Sequence, residues 1–210
     1  MKRLIDDYPD AVFYASGHKF RYPDNHEMNM VIPCLRGYDS YFRISVDYKG
    51  SGVLTSWIIY DKEVLLQVGL FKTDFLVGED ADLATRMALH GKFAYEPKSL
   101  GTYMADLPET LSKKNGFYMP IPGDGELLSA EQTQELITYH EYWIQRIAQD
   151  NILRGYPKIG RSQLKRIKYN YKFRKILLMT LSYLPTNIVC YLKYTYNKYI
   201  WKRFGQLDRA

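Results

Sequence analysis

The stretch Val77-Gly78-Glu79-Asp80-Ala81-Asp82-Leu83, continued by Ala84-Thr85-Arg86-Met87-Ala88-Leu89-His90-Gly91, sets a glycine and three carboxylates at the mouth of an apolar run. Leu83, Met87 and His90 fall on one helical stripe, and Gly91 closes the run as a residue suited to the left-handed position after a helix. The acids therefore lie on the first turn of a helix. Carboxylates there are favoured by the helix dipole, so capping charge alone accounts for Glu79, Asp80 and Asp82 taken in isolation.

The flanking sequence adds an order of elements. Upstream, Gly52-Val53-Leu54-Thr55-Ser56-Trp57-Ile58-Ile59-Tyr60 reads as a buried strand and Asp61 to Gly69 as a short capped helix. Leu70 to Phe75 then forms the loop that delivers the acids, and Lys92-Phe93-Ala94-Tyr95-Glu96-Pro97 follows the helix. The succession is a Thr55-Ser56 strand, a helix ending at Val68-Gly69, Phe71 and Phe75, Gly78-Glu79-Asp80-Ala81-Asp82-Leu83, Arg86, and Gly91-Lys92-Phe93-Ala94-Tyr95-Glu96-Pro97. In order and spacing it resembles the acceptor-side half of family 2 glycosyltransferases, the inverting GT-A enzymes, over roughly residues 1 to 112.

That resemblance implies an α/β fold, with a partial GT-A sheet of the nucleotide-diphospho-sugar-transferase kind followed by a C-terminal α-helical extension. It implies transfer of a sugar from a nucleotide sugar to a hydroxyl with inversion, in surface-glycan biosynthesis. Asp80 matches the family's general base, and an aspartate near its ordinary pKa of about 3.9 is ionised at neutral pH and able to take the hydroxyl proton. Glu79 beside it shapes the acceptor pocket, with Asp82 as a further acceptor-side carboxylate. Arg86 matches an arginine common in these enzymes, but an ion pair with a neighbouring carboxylate explains it equally well, so it is given no catalytic role. Trp57 stands where relatives carry a small residue, and it is either a core filler or a stacking platform for an acceptor sugar.

The donor side is expected to be missing. No Asp-x-Asp turn after an apolar strand occurs, and Asp80-Ala81-Asp82 opens a helix after a glycine, so it is read as the base motif rather than a metal-diphosphate motif. A histidine often found beyond Lys98 to Met104 is replaced around Ala105-Asp106. The divalent metal, Mg or Mn, that a complete enzyme would use thus finds no ligands here, and a donor-half polypeptide is an expected partner beside the nucleotide sugar and a glycan or lipid-linked acceptor. The alternative is a non-catalytic remnant or accessory module that binds glycan or membrane.

At 210 residues, 46% hydrophobic and 25% charged, the chain has the composition of a globular protein. Cys34 and Cys190 are far apart and in no metal spacing, which reads as free thiols of a reducing compartment. The N-terminus has no apolar core of a signal peptide, so a cytoplasmic protein is expected, peripheral at the inner face of the cell membrane. Isolated His18 and His26 read as surface turn residues around a hairpin at Pro23-Asp24-Asn25, and His140 as a helix-face residue.

Charge is divided unevenly. From Asn151 to Ala210 fourteen lysines and arginines face Asp208 alone, a net +13, and with +6 for the whole chain the first 150 residues carry −7. Such a tail points to an anionic surface. Residues 113–128 read as a linker, Ser129 as the cap of a helix reaching Ile152, and two further helices are expected over Ser162–Leu184 and Thr186–Phe204. Their apolar runs fall short of the roughly 20 residues a bilayer span needs and suit a surface-lying amphipathic pair. An anionic membrane surface is the favoured partner, packing onto the body comes next, and nucleic acid is set aside because no nucleic-acid motif accompanies the charge.

Overall fold

Every strand but one pairs with the eleven residues Ala11–Arg21, here β1. The structure, a computed structural model, describes residues 1–48, 55–105, 119–185, 187–189 and 191–192. Residues 52–54 of the expected Gly52–Tyr60 strand, residues 113–118 of the expected linker, Cys190 and most of the helix expected from Thr186 lie outside these. The chain divides into two compact units, Met1–His140 and Glu141–Ala210.

In the first unit a short helix α1 (Lys2–Asp7) leads into β1, which turns at Asn25 (φ 63°) into β2 (Glu27–Met30). Then follow β3 (Gly37–Asp39) and α2 (Tyr41–Asp47), whose Ser40 cap accepts the Arg43 N–H. A 3₁₀ turn (Thr55–Trp57) leads to β4 (Ile58–Tyr60), so among the described residues of the expected strand the last three are extended, and none of them is fully buried. Asp61 caps α3 (Lys62–Gln67) through the Val64 N–H, as its residue type predicts. α4 (Glu79–His90) and β5 (Lys92–Met104) come next.

The result is a mixed α/β fold. β5 runs parallel to β1 along one edge, while β4 and β2 share the other edge, each antiparallel, at its first and second halves. β3 extends the sheet beyond β5. The β1–β5 register jumps from Ser16↔Glu96 to Gly17↔Ser99, leaving Pro97 and Lys98 in a bulge; proline has no N–H to give the ladder there. Phe13, Ala15, Ile44, Leu83, Met87, Phe93, Tyr95 and Leu127 form the buried interior.

Gly91 ends α4 for a different reason from the one expected. Its backbone is extended (φ 177°) rather than left-handed, but a Cβ would come within 2.4 Å of Val12 Cγ1. Close approach of the helix end to β1 demands the glycine. The expected linker is also partly structured: α5 (Asp124–Ser129) folds inside it and buries Leu127. Ser129 ends that helix by donating to Gly125 O, and the long helix α6 (Gln134–Leu153) instead starts after Thr133, whose Oγ1 accepts the Leu136 N–H at 3.2 Å.

In the second unit, α7 (Pro157–Lys165) follows a glycine turn and approaches α6 at Gly160, where a Cβ would lie 2.6 Å from Ile152 Cγ1. The single helix expected from Ser162 is broken before α8 (Lys172–Leu181). Buried Glu141 is the cause: its carboxylate accepts the N–H groups of Lys168, Tyr169 and Asn170 at 2.6, 2.9 and 2.6 Å. A side chain that satisfies three backbone donors at once fixes a turn where local sequence alone would continue a helix.

Candidate active site

Gly78 caps α4 in the left-handed conformation (φ 89°), and the chain then presents Glu79, Asp80 and Asp82 on the first turn. Glu79 and Asp80 are half-buried, reachable from solvent. Asp80 Oδ1 accepts the Ala81 N–H at 2.7 Å, a local bond that steadies the carboxylate.

The Asp80 charge is felt by two tyrosines, Tyr41 and Tyr60, that sequence spacing does not reveal. Burial pushes the Tyr41 phenol up to about 12, with the Asp80 charge adding to the effect and bonds to Ser45, Tyr139 and Thr85 opposing it. Burial also raises Tyr60, again with help from Tyr41 and Asp80. The Tyr60 hydroxyl is buried and finds no hydrogen-bond partner among the described residues. Thr85 Oγ1 and the Tyr139 hydroxyl lie 2.5 Å apart, and Phe13 packs against both Tyr41 and Tyr60 with ring centroids 5.5 and 6.3 Å away. The Asp80 side chain thus acts electrostatically on phenols whose burial raises their pKa. Such a set of groups can accept a proton at one point and donate hydrogen bonds at another.

Asp82 has a different fate from its neighbours. It is fully buried, with Oδ2 receiving Arg86 Nε at 2.8 Å and Oδ1 receiving the Gly123 N–H at 2.9 Å and Lys72 Nζ at 3.3 Å. This carboxylate holds the fold together; of the three acceptor-side residues expected from sequence, Asp82 is sealed, while Glu79 and Trp57 are half-buried. Arg86, buried beside it, also donates to Val68 O and Leu70 O at 2.5 Å each, clamping the loop that leads to the acids. Lys72 reaches on to Glu126 Oε1 at 3.1 Å, and Gly123 (φ 61°) has no room for a Cβ against Thr85. Helix, loop and α5 are therefore fixed relative to one another by charge-assisted bonds.

Trp57 is half-buried and stacks on His18, with centroids 5.2 Å apart and planes 11° from parallel. It crosses Gly101 so closely that a Cβ there would fall 1.5 Å from Trp57 Nε1. His18 is not the expected turn residue: it lies within β1, fully buried, and neither ring nitrogen has a hydrogen-bond partner among the described residues. It ends a run of six consecutive buried residues, Phe13 to His18, in the middle of the sheet's longest-paired strand. Burial lowers its pKa from the ordinary 6.5, so the unfolded chain takes up a proton that the folded chain refuses. The stability this contributes is full above pH 6.5 and is lost as pH falls below that value toward the depressed folded pKa. Denaturation midpoints measured from neutral pH down to about 5.5 should fall less steeply in His18→Phe than in the parent chain; parallel slopes would show that His18 does not carry this acid sensitivity.

His26 is exposed at the hairpin, as expected, whereas His140 is buried with Nε2 2.8 Å from Asp124 Oδ1. Among the described residues no cluster of three or more His, Cys, Asp or Glu is arranged to hold a metal ion. Asp82 is fully engaged by cations and an N–H, so of the acids on this turn Glu79 and Asp80 are left, by themselves too few donors for a divalent site. No protein-family model, curated protein or solved structure matches this chain.

Proposed function

We propose that the chain is the acceptor-side half of an inverting GT-A glycosyltransferase of family 2 type. The observation that carries this reading is the division of labour on the first turn of α4: Asp82 is locked in a buried hub, while Asp80 stays half-open and its charge is felt by two phenols.

In the proposed reaction the acceptor hydroxyl lies against Asp80, with Glu79 and Trp57 bordering the sugar. As the acceptor oxygen attacks the anomeric carbon of the nucleotide sugar, Asp80 takes its proton and the nucleoside diphosphate departs from the opposite face. A new glycosidic bond of inverted configuration results. The bond to the diphosphate breaks with its electron pair on the leaving oxygen, so the carboxylic acid formed at Asp80 is the only proton the protein must hold. No step is assigned to a metal, since the residues described do not fit one.

The donor site would come from a separate donor-binding half. Titration of nucleotide sugars with manganese into this chain is expected to give no binding tighter than millimolar, which is about 4 kcal/mol of affinity. Transfer should appear only when a donor-binding half is supplied in complex or fusion. Tight donor binding by the chain alone would overturn the half-enzyme reading, and absence of transfer in every complemented form would favour a non-catalytic module.

A further inference from the structure

We propose that the outward face of α8 docks on an anionic lipid surface. With about 100° of turn per residue, Phe173, Ile176, Leu177 and Thr180 share one stripe of this helix, and Lys172 and Arg174 stand at its two borders. The stripe faces solvent. Phe173 is 82% exposed, Ile176 65% and Leu177 50%, whereas Leu178 on the opposite side is 5% exposed. A helix that serves only a core turns such a stripe inward, so here the amphipathicity is directed away from the protein.

Charge selects the occupant. No Asp or Glu occurs between Asn151 and Leu207. Lys165, Lys168, Lys172 and Arg174 are exposed, while Glu141 is buried and committed to three backbone N–H groups and Asp150 is half-buried. A second copy meeting this face with its own stripe would bring like charges together at the borders. Beyond Leu192 the sequence adds Lys193, Lys198, Lys202, Arg203 and Arg209 against Asp208. An anionic headgroup layer satisfies both features: aromatic and aliphatic groups enter the acyl boundary while lysine and arginine remain at phosphate level. Among the described residues no helix is long and apolar enough to cross a membrane, so the helix lies on the surface rather than through it. This inference stands independently of the role given to Asp80.

The test is co-sedimentation of the full chain with phosphatidylcholine vesicles, with and without phosphatidylserine, at low and high salt. The chain should pellet with the acidic vesicles, and salt should weaken binding without abolishing it. Lys172→Gln with Arg174→Gln should reduce binding about fivefold per cation, about 30-fold together. Phe173→Ser, Ile176→Ser and Leu177→Ser in one chain should remove the salt-resistant share while leaving the circular dichroism spectrum unchanged. Binding to neither vesicle, equal binding to both, or a triple variant that binds like the parent overturns the proposal. So does a parent dimer that the triple variant converts to monomer, which would assign the face to a second copy; if the triple variant misfolds, the two glutamine substitutions decide.

Discussion

Replacing Arg86 with methionine is expected to lower the unfolding free energy by about 3–5 kcal/mol, the range for stripping one partner from a buried ion pair. The cost arises from what is left behind more than from what is removed. Asp82 would remain fully buried with Lys72 and the Gly123 N–H as its only partners, and the carbonyls of Val68 and Leu70 would lose their donor. Methionine fills much the same volume, so the loss cannot be ascribed to a cavity alone. Combining Arg86→Met with Asp82→Asn should recover part of the loss, because the buried charge left with Lys72 as its one cation goes while the amide oxygen can still accept from Gly123. Urea titrations of the two variants and the parent check both statements. A loss below about 1 kcal/mol for Arg86→Met would mean that water reaches Asp82 and that the hub is not buried in solution.

The same hub explains why the site was only half legible in the sequence. The capped helix α3, the acids on the first turn of α4 and the hairpin at Asn25 follow from local signals: Asp61 before an apolar run, a glycine ahead of three carboxylates, a Pro-Asp-Asn turn. Local signals say which residues share a turn but not which of them face inward. Asp80 and Asp82 are two positions apart, about 200° around the helix, and only tertiary partners from Lys72 and Gly123 decide that one is sealed and the other open. Glu141 illustrates the same limit over a longer range, since its three acceptor bonds break a helix some 27 to 29 residues away. Trp57 and His18 were readable as an aromatic and a histidine, yet their stacking depends on the pairing of β1 with β4 and β5, which periodicity cannot supply. Gly91 is the instructive case of a correct boundary with a different cause, because Val12, far away in sequence, occupies the space a side chain would need.

In a complex or fusion that restores donor binding, Asp80→Asn is expected to reduce transfer by about 100- to 10,000-fold while donor affinity stays near that of the parent. Asparagine keeps the shape of the side chain and an oxygen that can still accept the Ala81 N–H, so the first turn of α4 should persist. It cannot accept the acceptor proton, a contribution made only as the hydroxyl attacks, so the loss should fall on kcat rather than on ground-state binding. Asp82→Asn supplies the contrast. It leaves the open carboxylate intact but removes the charge that Arg86 and Lys72 are built around, so stability should drop and any loss of turnover should follow the unfolded fraction. Glu79→Gln should raise KM for the acceptor more than it lowers kcat, because a residue that only borders the sugar acts in the ground and transition states alike. If Asp80→Asn kept full turnover, the base would have to be sought at Glu79, the one other acid of this turn that is open to solvent. If Asp80→Asn lost activity and stability together, Asp80 would belong to the framework, and the division of labour between the two aspartates would fail with it.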